Sequence, residues 1–155
     1  MILIAHRGNI QGPTPSLENN PSYVQQALDL GFSVEIDLRV KNDKFYLGHD
    51  YAQYKITEEF LVENKNKLWV HCKDSKALEK SIALNLNCFW HSVDDYTLTS
   101  YGYVWCFPGK EIVGTRSVVV LPELYKSVSS IETEGKMIGI CSDYVLDIKK
   151  HINTT

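Results

Sequence analysis

With 155 residues, of which 44% are hydrophobic and 23% charged, the chain has the composition of one soluble domain with a substantial core. The formal net charge of −3 and the scattered basic residues argue against a nucleic-acid partner. No apolar run approaches the ~20 residues of a membrane span, so a membrane-spanning class is excluded as well.

The cysteines and the N-terminus predict a cytoplasmic protein. Cys72, Cys88, Cys106 and Cys141 lie in apolar, strand-like segments and lack metal-type pairing such as C-x-x-C. They are interpreted as reduced core thiols, which are typical of a reducing compartment. The chain also enters a strand pattern at once, without the basic and apolar segments of a signal peptide.

The first half alternates predicted strands and helices. Apolar or alternating residues predict strands at 2–5, 33–40, 44–48, 68–73 and 88–91. Caps and apolar stripes predict helices that begin at Asn20 or Ser22 and end at Leu30, that span 57–64, and that run from Asp74 or Ser75 to Leu84.

The second half has room for few helices. Strands are predicted at 103–107, 118–121 and 137–141, and a short helix is predicted at 122–130. Gly102, Gly114 and the Pro108-Gly109 pair break the segments between these strands. The missing helices would leave apolar strand faces uncovered around 103–107 and 118–121, which predicts a homo-oligomer or another covering partner.

Alternating strands and helices indicate an α/β fold with a parallel sheet and right-handed crossovers. A complete (β/α)₈ barrel takes ~250 residues and rarely fewer than ~200. The prediction is therefore a single domain over residues 1–155, a reduced TIM-type barrel with helices shortened or missing in the second half. An open doubly wound sheet is the alternative, and in both architectures ligands bind at the carboxyl ends of the strands.

The strand at 33–40 carries two acidic residues on one face. Its alternation places Glu35 and Asp37 together, with Val34, Ile36 and Leu38 on the other face. Two neighbouring carboxylates on an inner face are costly unless a cation neutralises them. Their hard oxygen atoms suit a divalent metal ion.

Four short motifs occur in a fixed order: H-R-G at 6–8, E-N at 18–19, E-x-D at 35–37 and H-D at 49–50. This set resembles the glycerophosphodiester phosphodiesterase family, part of the phospholipase-C-like phosphodiesterase superfamily, and the chain looks like a short, divergent member. A looser match at 139–144 is similar to the family's last strand. The resemblance implies a (β/α) barrel and a hydrolase of lipid metabolism.

The resemblance also implies roles for individual residues. His6 and His49 would be the acid and base, and histidine suits both because its pKa lies near neutral. Arg7 would clamp the phosphate through its planar fork, and Lys73 would neutralise charge that develops there. Glu35 and Asp37 would bind one divalent ion, Mg²⁺, Ca²⁺ or Mn²⁺.

His71 departs from the family pattern, which has a glutamate as third metal ligand at this place. Either His71 replaces that ligand or the metal site is impaired. As a ligand, a neutral imidazole would favour a transition metal over calcium or magnesium. Its other ring nitrogen should then be held by an acceptor, and metal binding should weaken below pH ~6.5.

Several further residues are candidates for the pocket. Glu18 with Asn19 either orders a loop or contacts the metal. His91 ends the strand predicted at 88–91 and Asp143 follows the last predicted strand, and each either lines the pocket or serves the core or a loop. Trp105 lies within the strand predicted at 103–107 and either belongs to the core or walls the pocket.

The favoured function is a metal-dependent phosphodiesterase acting on a small phosphodiester, such as a glycerophosphodiester. The alternative is a catalytically impaired module that binds a phosphorylated sugar or lipid headgroup, which the altered ligand and the missing helices favour. A structural subunit docked to another enzyme is a third interpretation.

Overall fold

A mixed α/β architecture around one curled sheet is seen in the computed structural model, which describes residues 1–131 and 135–154. The strands are β1 (Ile2–His6), β2 (Ser33–Lys41), β3 (Lys44–Leu47), β4 (Tyr54–Lys55), β5 (Leu68–Cys72), β6 (Cys88–Phe89), β7 (Tyr96–Leu98), β8 (Val104–Cys106), β9 (Ser117–Val120) and β10 (Gly139–Ser142). The helices are α1 (Pro21–Asp29), α2 (Glu58–Glu63), α3 (Ser75–Ala83) and α4 (Val145–Thr154), with 3₁₀ turns at Pro122–Leu124 and Val128–Ser130.

Most of the sheet is parallel. Strands pair in the order β6-β5-β2-β1-β10-β9-β8, all parallel, so their carboxyl ends share one edge. β7 pairs antiparallel with β8, and β3 and β4 extend the far end of β2 as antiparallel strands. The two ends of the sheet approach each other, since the N–H of Ser100, which follows β7, donates to the carbonyl of Cys88 on β6 at 2.8 Å.

Two apolar clusters cover the two faces of the sheet. The outer face packs Val34, Ile36 and Leu38 against the helices α1 to α3. The inner face is filled by large side chains from β5, β6 and β8, with the Phe89 and Trp105 rings 4.6 Å apart. The curl of the sheet thus encloses an aromatic core below its carboxyl edge.

Local signals set the helix starts in the first half. Asn20, rather than Ser22, caps α1 and accepts from the Ser22 N–H. Thr57 caps α2, and Asp74 caps α3 by accepting from the Ala77 N–H. The predicted strands and helices of this half are confirmed with small shifts at their ends, because their signals are local.

The second half departs from prediction. The helix predicted at 122–130 is wrong: the chain makes two separate 3₁₀ turns there, after a left-handed residue at Leu121. The strand β7 and the helix α4 of this half were not predicted, nor was the two-residue strand β4 of the first half. α4 forms because Val145 and Ile148 bury an apolar stripe against β1 and β10.

The α/β class is confirmed, whereas a full set of eight βα units is not present in residues 1–131 and 135–154. Within these ranges no helix combines the length and the apolar character needed to cross a membrane.

Candidate functional site

Strand register assembles the candidate site at the carboxyl edge of the sheet. His6, the last residue of β1, lies opposite Glu35 on β2, and Asp37 lies opposite His71 on β5. Lys73 follows directly after β5. Because these strands are parallel neighbours, side chains far apart in sequence meet on one face.

Glu35, Asp37 and His71 form a buried group that could hold a metal ion. One ligand atom from each residue lies within 4.8 Å of the others. Glu35 is 2% exposed and Asp37 is fully buried. His71 Nδ1 lies 3.3 Å from Asp37 Oδ1 and 3.7 Å from Glu35 Oε1.

The tautomer of His71 shows why this group needs a cation. Its Nε2 lies 2.9 Å from the His91 carbonyl oxygen, which can only accept, so Nε2 carries a hydrogen. Nδ1 then faces two carboxylates and must hold either a proton or a metal ion. Asp37 Oδ1 is buried and has no hydrogen-bond partner among the described residues. The three ligands and this orphaned oxygen fit a divalent cation.

Without a metal, the proton is held firmly. Burial lowers the pKa of His71, but the neighbouring carboxylates of Asp37 and Glu35, which stabilise a proton on Nδ1, outweigh burial and raise the pKa to about 9. For the Asp37 carboxyl, burial alone would raise the pKa. The neighbouring His71 and Arg7 outweigh burial and hold this pKa well below its usual range. The proton and a metal ion would therefore compete for one position.

Arg7 and Asn19 hold the carboxylates in place. Arg7 Nε lies 3.1 Å from Asp37 Oδ2, and its backbone N–H donates to Glu35 at 3.2 Å. Asn19 Nδ2 donates to Asp37 Oδ2 at 2.9 Å, and the Asp37 N–H donates to Asn19 Oδ1 at 2.9 Å. Lys73 Nζ lies 3.8 Å from Asp37 Oδ1. Asp37 is thus the centre of the polar cluster.

Glu18 organises the loop after β1. It accepts from Arg7 Nη1 and from Asn9 Nδ2, both at 3.0 Å. It is outside the candidate metal group, so its contacts agree with the loop-ordering alternative. Both Arg7 and Asn19 adopt positive φ angles, of 53° and 61°, so this loop turns sharply at each end.

His6 is held by an acidic partner from the last strand segment. His6 Nδ1 lies 2.8 Å from Asp143 Oδ1, which also accepts from Asn9 Nδ2 at 2.8 Å. Burial lowers the pKa of His6, but the hydrogen bond to Asp143 and the negative charges of Glu35 and Asp143 together outweigh burial, so the pKa is raised. The Asp143 N–H donates to Glu123 Oε1 at 2.8 Å. A chain of contacts therefore runs from Glu123 through Asp143 to His6.

His49 lies on the loop after β3, and its own contact is to Asp50, with Nδ1 2.7 Å from Oδ1. Arg39 fixes the loop by donating to the Gly48 carbonyl at 3.0 Å and to the His49 carbonyl. Gly48 has φ 149°, and a Cβ there would lie 2.1 Å from the Tyr51 carbonyl oxygen. Only glycine fits this turn, which delivers His49 to the site.

A cavity of about 460 Å³ brings most of the predicted residues together. Eight of them line it: His6, Arg7, Glu35, His49, His71, Lys73, His91 and Trp105. Glu18, Asp37 and Asp143 are not in its lining, and each contacts a residue that is: Arg7 for Glu18 and Asp37, and His6 for Asp143.

His91 and Trp105 lie on the far side of this cavity. Neither ring nitrogen of His91 has a hydrogen-bond partner among the described residues, and burial followed by the nearby His71 charge lowers its pKa. Its ring centroid lies 5.4 Å from that of Phe107. Trp105 is buried against Trp69 and Phe89, so it belongs to the cavity floor.

Sequence reasoning missed Asn9, Arg39 and Glu123, which support the polar side of the site through hydrogen bonds. A signal existed for Arg39, which follows Glu35 and Asp37 on the same face of β2 at period two. Asn9 directly follows the H-R-G motif, which was a weaker signal. Glu123 had none, since its contact depends on how a 3₁₀ turn meets the end of β10.

A second cavity of about 380 Å³ lies near β9 and the 3₁₀ turns. Val119, Pro122, Ile131 and Met137 are among its lining residues. It holds no candidate metal group among the described residues, so the chemistry of the described part of the chain points to the first cavity.

Comparison of the sequence with models of known protein families found no match, and no curated protein matches it. The likeness of its four motifs to the glycerophosphodiester phosphodiesterase family therefore stays a prediction.

Proposed function

We propose that this protein is a metal-dependent phosphodiesterase that hydrolyses a small phosphodiester, and that its curled sheet is a reduced TIM-type barrel. The observation that carries the proposal is one cavity lined by Glu35 and His71 of the candidate metal group, by Arg7 and Lys73, and by His6 and His49. The carboxylate and imidazole of the metal group suit a cation, and the side chains of Arg7 and Lys73 suit phosphate oxygens. The histidines His6 and His49 suit proton transfer.

Glu35, Asp37 and His71 would hold the metal ion. A bound divalent cation would supply neutralisation of the phosphate charge and would lower the pKa of an attacking hydroxyl or water. The imidazole in this ligand set favours manganese, cobalt, nickel or zinc over calcium and magnesium. The His91 carbonyl holds the other ring nitrogen of His71, as expected for a metal-ligating histidine.

His6 suits the role of general acid. Its Nδ1 is taken by Asp143, which leaves Nε2 as the ring atom for substrate. The contact with Asp143 raises the pKa of His6, which favours the protonated ring that a general acid needs to protonate a leaving alkoxide. His49, on the same cavity, would take the proton of the attacking hydroxyl or water.

Arg7 and Lys73 would hold the phosphate. Arg7 contacts Asp37 through Nε and Glu18 through Nη1. These two contacts fix the orientation of the guanidinium plane before substrate binds. Lys73, whose ammonium lies 3.8 Å from Asp37 Oδ1, would neutralise the charge that develops on the phosphate oxygens.

The test is hydrolysis of bis(p-nitrophenyl) phosphate by protein stripped with chelator and then given Mn²⁺, Co²⁺, Ni²⁺, Zn²⁺, Mg²⁺ or Ca²⁺ in turn. Turnover that requires a metal, and that is lost in His6→Ala while circular dichroism stays unchanged, is the expected result. Failure with every metal and with glycerophosphodiesters would reject the proposal.

A metal-free binding module is the second candidate, and one observation favours it. The imidazolium of His71, the guanidinium of Arg7 and the ammonium of Lys73 all face Asp37, so the carboxylates can be neutralised without a metal ion. Such a protein would bind a phosphorylated sugar or lipid headgroup. Calorimetry that detects phosphate-ester binding but no metal binding would favour this candidate.

We further propose a cytoplasmic location and association of two copies through the second half of the sheet. All four cysteines are free and buried, which suits a reducing compartment. Light scattering at high protein concentration tests the association, and a clean monomer mass would argue against it.

A further inference from the structure

The 460 Å³ cavity has two chemically different walls. The polar wall comes from β1, β2, β5 and the loop after β3. The other wall, here called the apolar wall, comes from the ends of β6, β8 and β9 and the residues that follow them. Its members are Trp90, Trp105, Phe107, Pro108, Val120 and Leu121.

The apolar wall includes large side chains that the core leaves partly exposed. Trp105 and Val120 are buried and form its floor, but Trp90 is 46% exposed and Phe107 is 37% exposed. Large apolar side chains that project into a cavity beside solvent mark binding surfaces. The aromatic side chains thus offer an apolar surface in the same cavity as Arg7 and Lys73.

Leu121 gives a second, independent observation. Its backbone is left-handed, with φ 46° and ψ 52°, a conformation that glycine or asparagine adopts far more readily than leucine. Strained backbone conformations cluster at functional sites, where the surrounding structure holds the residue in place. At Leu121 the strained residue lines the cavity and packs on its aromatic floor.

We propose that the substrate is an amphipathic phosphodiester whose single alkyl or acyl chain lies on the apolar wall. This inference rests on the proposed function, since the phosphate is taken to bind Arg7 and Lys73 on the polar wall. An alkyl or acyl chain that extends from the phosphate toward Leu121 and Phe107 would be removed from water. The polar members of this side, His91 and Ser92, are too few to hold a polyhydroxylated leaving group along the whole wall.

The test is binding of monomeric butyl-, hexyl- and octylphosphocholine to the full chain, measured by calorimetry beside glycerophosphocholine. Each methylene buried on the wall should lower Kd by up to about fourfold. Octylphosphocholine should bind at least tenfold more tightly than glycerophosphocholine. Octyl glucoside, which has the chain but no phosphate, should bind at least tenfold more weakly than octylphosphocholine.

Leu121→Asn is the decisive variant. Asparagine tolerates the left-handed backbone, so the fold is retained, while the apolar contact is lost. Binding of octylphosphocholine should weaken at least fivefold more than that of glycerophosphocholine. Leu124→Asn is the matched control: this leucine lies in the next turn, is exposed and does not line the cavity, so its replacement should change neither affinity.

The outcomes separate this inference from the proposed function. Chain-dependent binding that Leu121→Asn abolishes, without hydrolysis under any metal, supports the inference while the enzymatic proposal fails. Hydrolysis of glycerophosphocholine without any gain from longer chains supports the enzymatic proposal and overturns the inference. Equal affinity for octyl glucoside and octylphosphocholine also overturns it, because the phosphate would then contribute nothing.

Discussion

The two halves of the sheet build one cavity by different means. β1, β2 and β5 have five to nine residues, and helices α1 to α3 cover their outer face. β7, β8 and β9 have three or four residues and are joined by segments without a helix. The first half supplies the polar wall of the cavity, and the second half supplies most of the apolar wall.

This difference follows from what each wall must do. Buried carboxylates and their cations are stabilised only at defined distances, so they need rigid, well-covered strands. Hydrophobic contacts are non-directional and tolerate short strands and turns. The second half nevertheless reaches the polar wall, through the contact of Asp143 with His6 and that of the His91 carbonyl with His71 Nε2.

The largest effect is expected from removing a proton carrier of the polar wall. His6→Ala should lower turnover of a phosphodiester about 10²–10⁴-fold, because the leaving alkoxide loses its acid. Substrate affinity should change far less. Steady-state kinetics measures both quantities, and unchanged turnover in a folded variant would contradict the assignment.

Asp37→Asn should show that the polar wall also carries stability. It leaves Arg7, Lys73 and His71 around a neutral side chain, and a broken buried pair costs about 3–5 kcal/mol of unfolding free energy. Urea denaturation of the metal-free protein measures this loss. The control is Asp43→Asn, which removes the exposed pair with Lys80 and should leave the unfolding midpoint almost unchanged. Equal losses in both variants would show that Asp37 is not the centre of this wall.

Metal-free protein should lose stability as pH rises from ~6.5 to about 9. The folded pKa of His71 is about 9 and the unfolded pKa is ~6.5, so its proton stabilises the fold fully below ~6.5, by roughly 3 kcal/mol, and no longer above about 9. Because a metal ion replaces that proton, metal affinity should rise across this window, which lies above the one expected for an unperturbed histidine. Urea denaturation between pH 6 and 9.5 tests this, and an equal pH slope in His71→Gln would contradict it.

His71→Glu should change the metal preference of the site. Three carboxylates bring three negative charges and hard oxygen ligands, which calcium and magnesium prefer. Relative to Mn²⁺, the affinity for Ca²⁺ should rise about tenfold or more, or roughly 1.4 kcal/mol. Calorimetric titration at pH 7.5 compares the two proteins. An identical Ca²⁺ to Mn²⁺ ratio in both would reject His71 as a ligand.

The smallest effect should come from Glu123, which supports His6 of the polar wall through Asp143. Glu123→Ala leaves the Asp143 N–H unpaired, which should cost about 1 kcal/mol of unfolding free energy and several-fold in turnover through a less well-oriented His6. Glu123→Gln keeps an acceptor at this place and should restore both values. Loss of turnover in Glu123→Gln equal to that in Glu123→Ala would point to the charge of Glu123 instead.

The sequence alone determined the local parts of this protein. Period-two alternation placed Glu35 and Asp37 on one face of β2, and Val34, Ile36 and Leu38 on the other, as the structure has them. Caps at Thr57 and Asp74 marked the helix starts. These features depend on neighbours within a few residues, so the sequence carries their signal directly.

Only the tertiary structure decided the long-range contacts. The pairing of His6 with Asp143 joins residues 137 apart and depends on the parallel register of β1 with β10. Leu121 takes a left-handed backbone that leucine disfavours, and α4 forms on an apolar stripe that needs β1 and β10 beneath it. Contacts of this kind follow from packing across the sheet, which short-range periodicity does not encode.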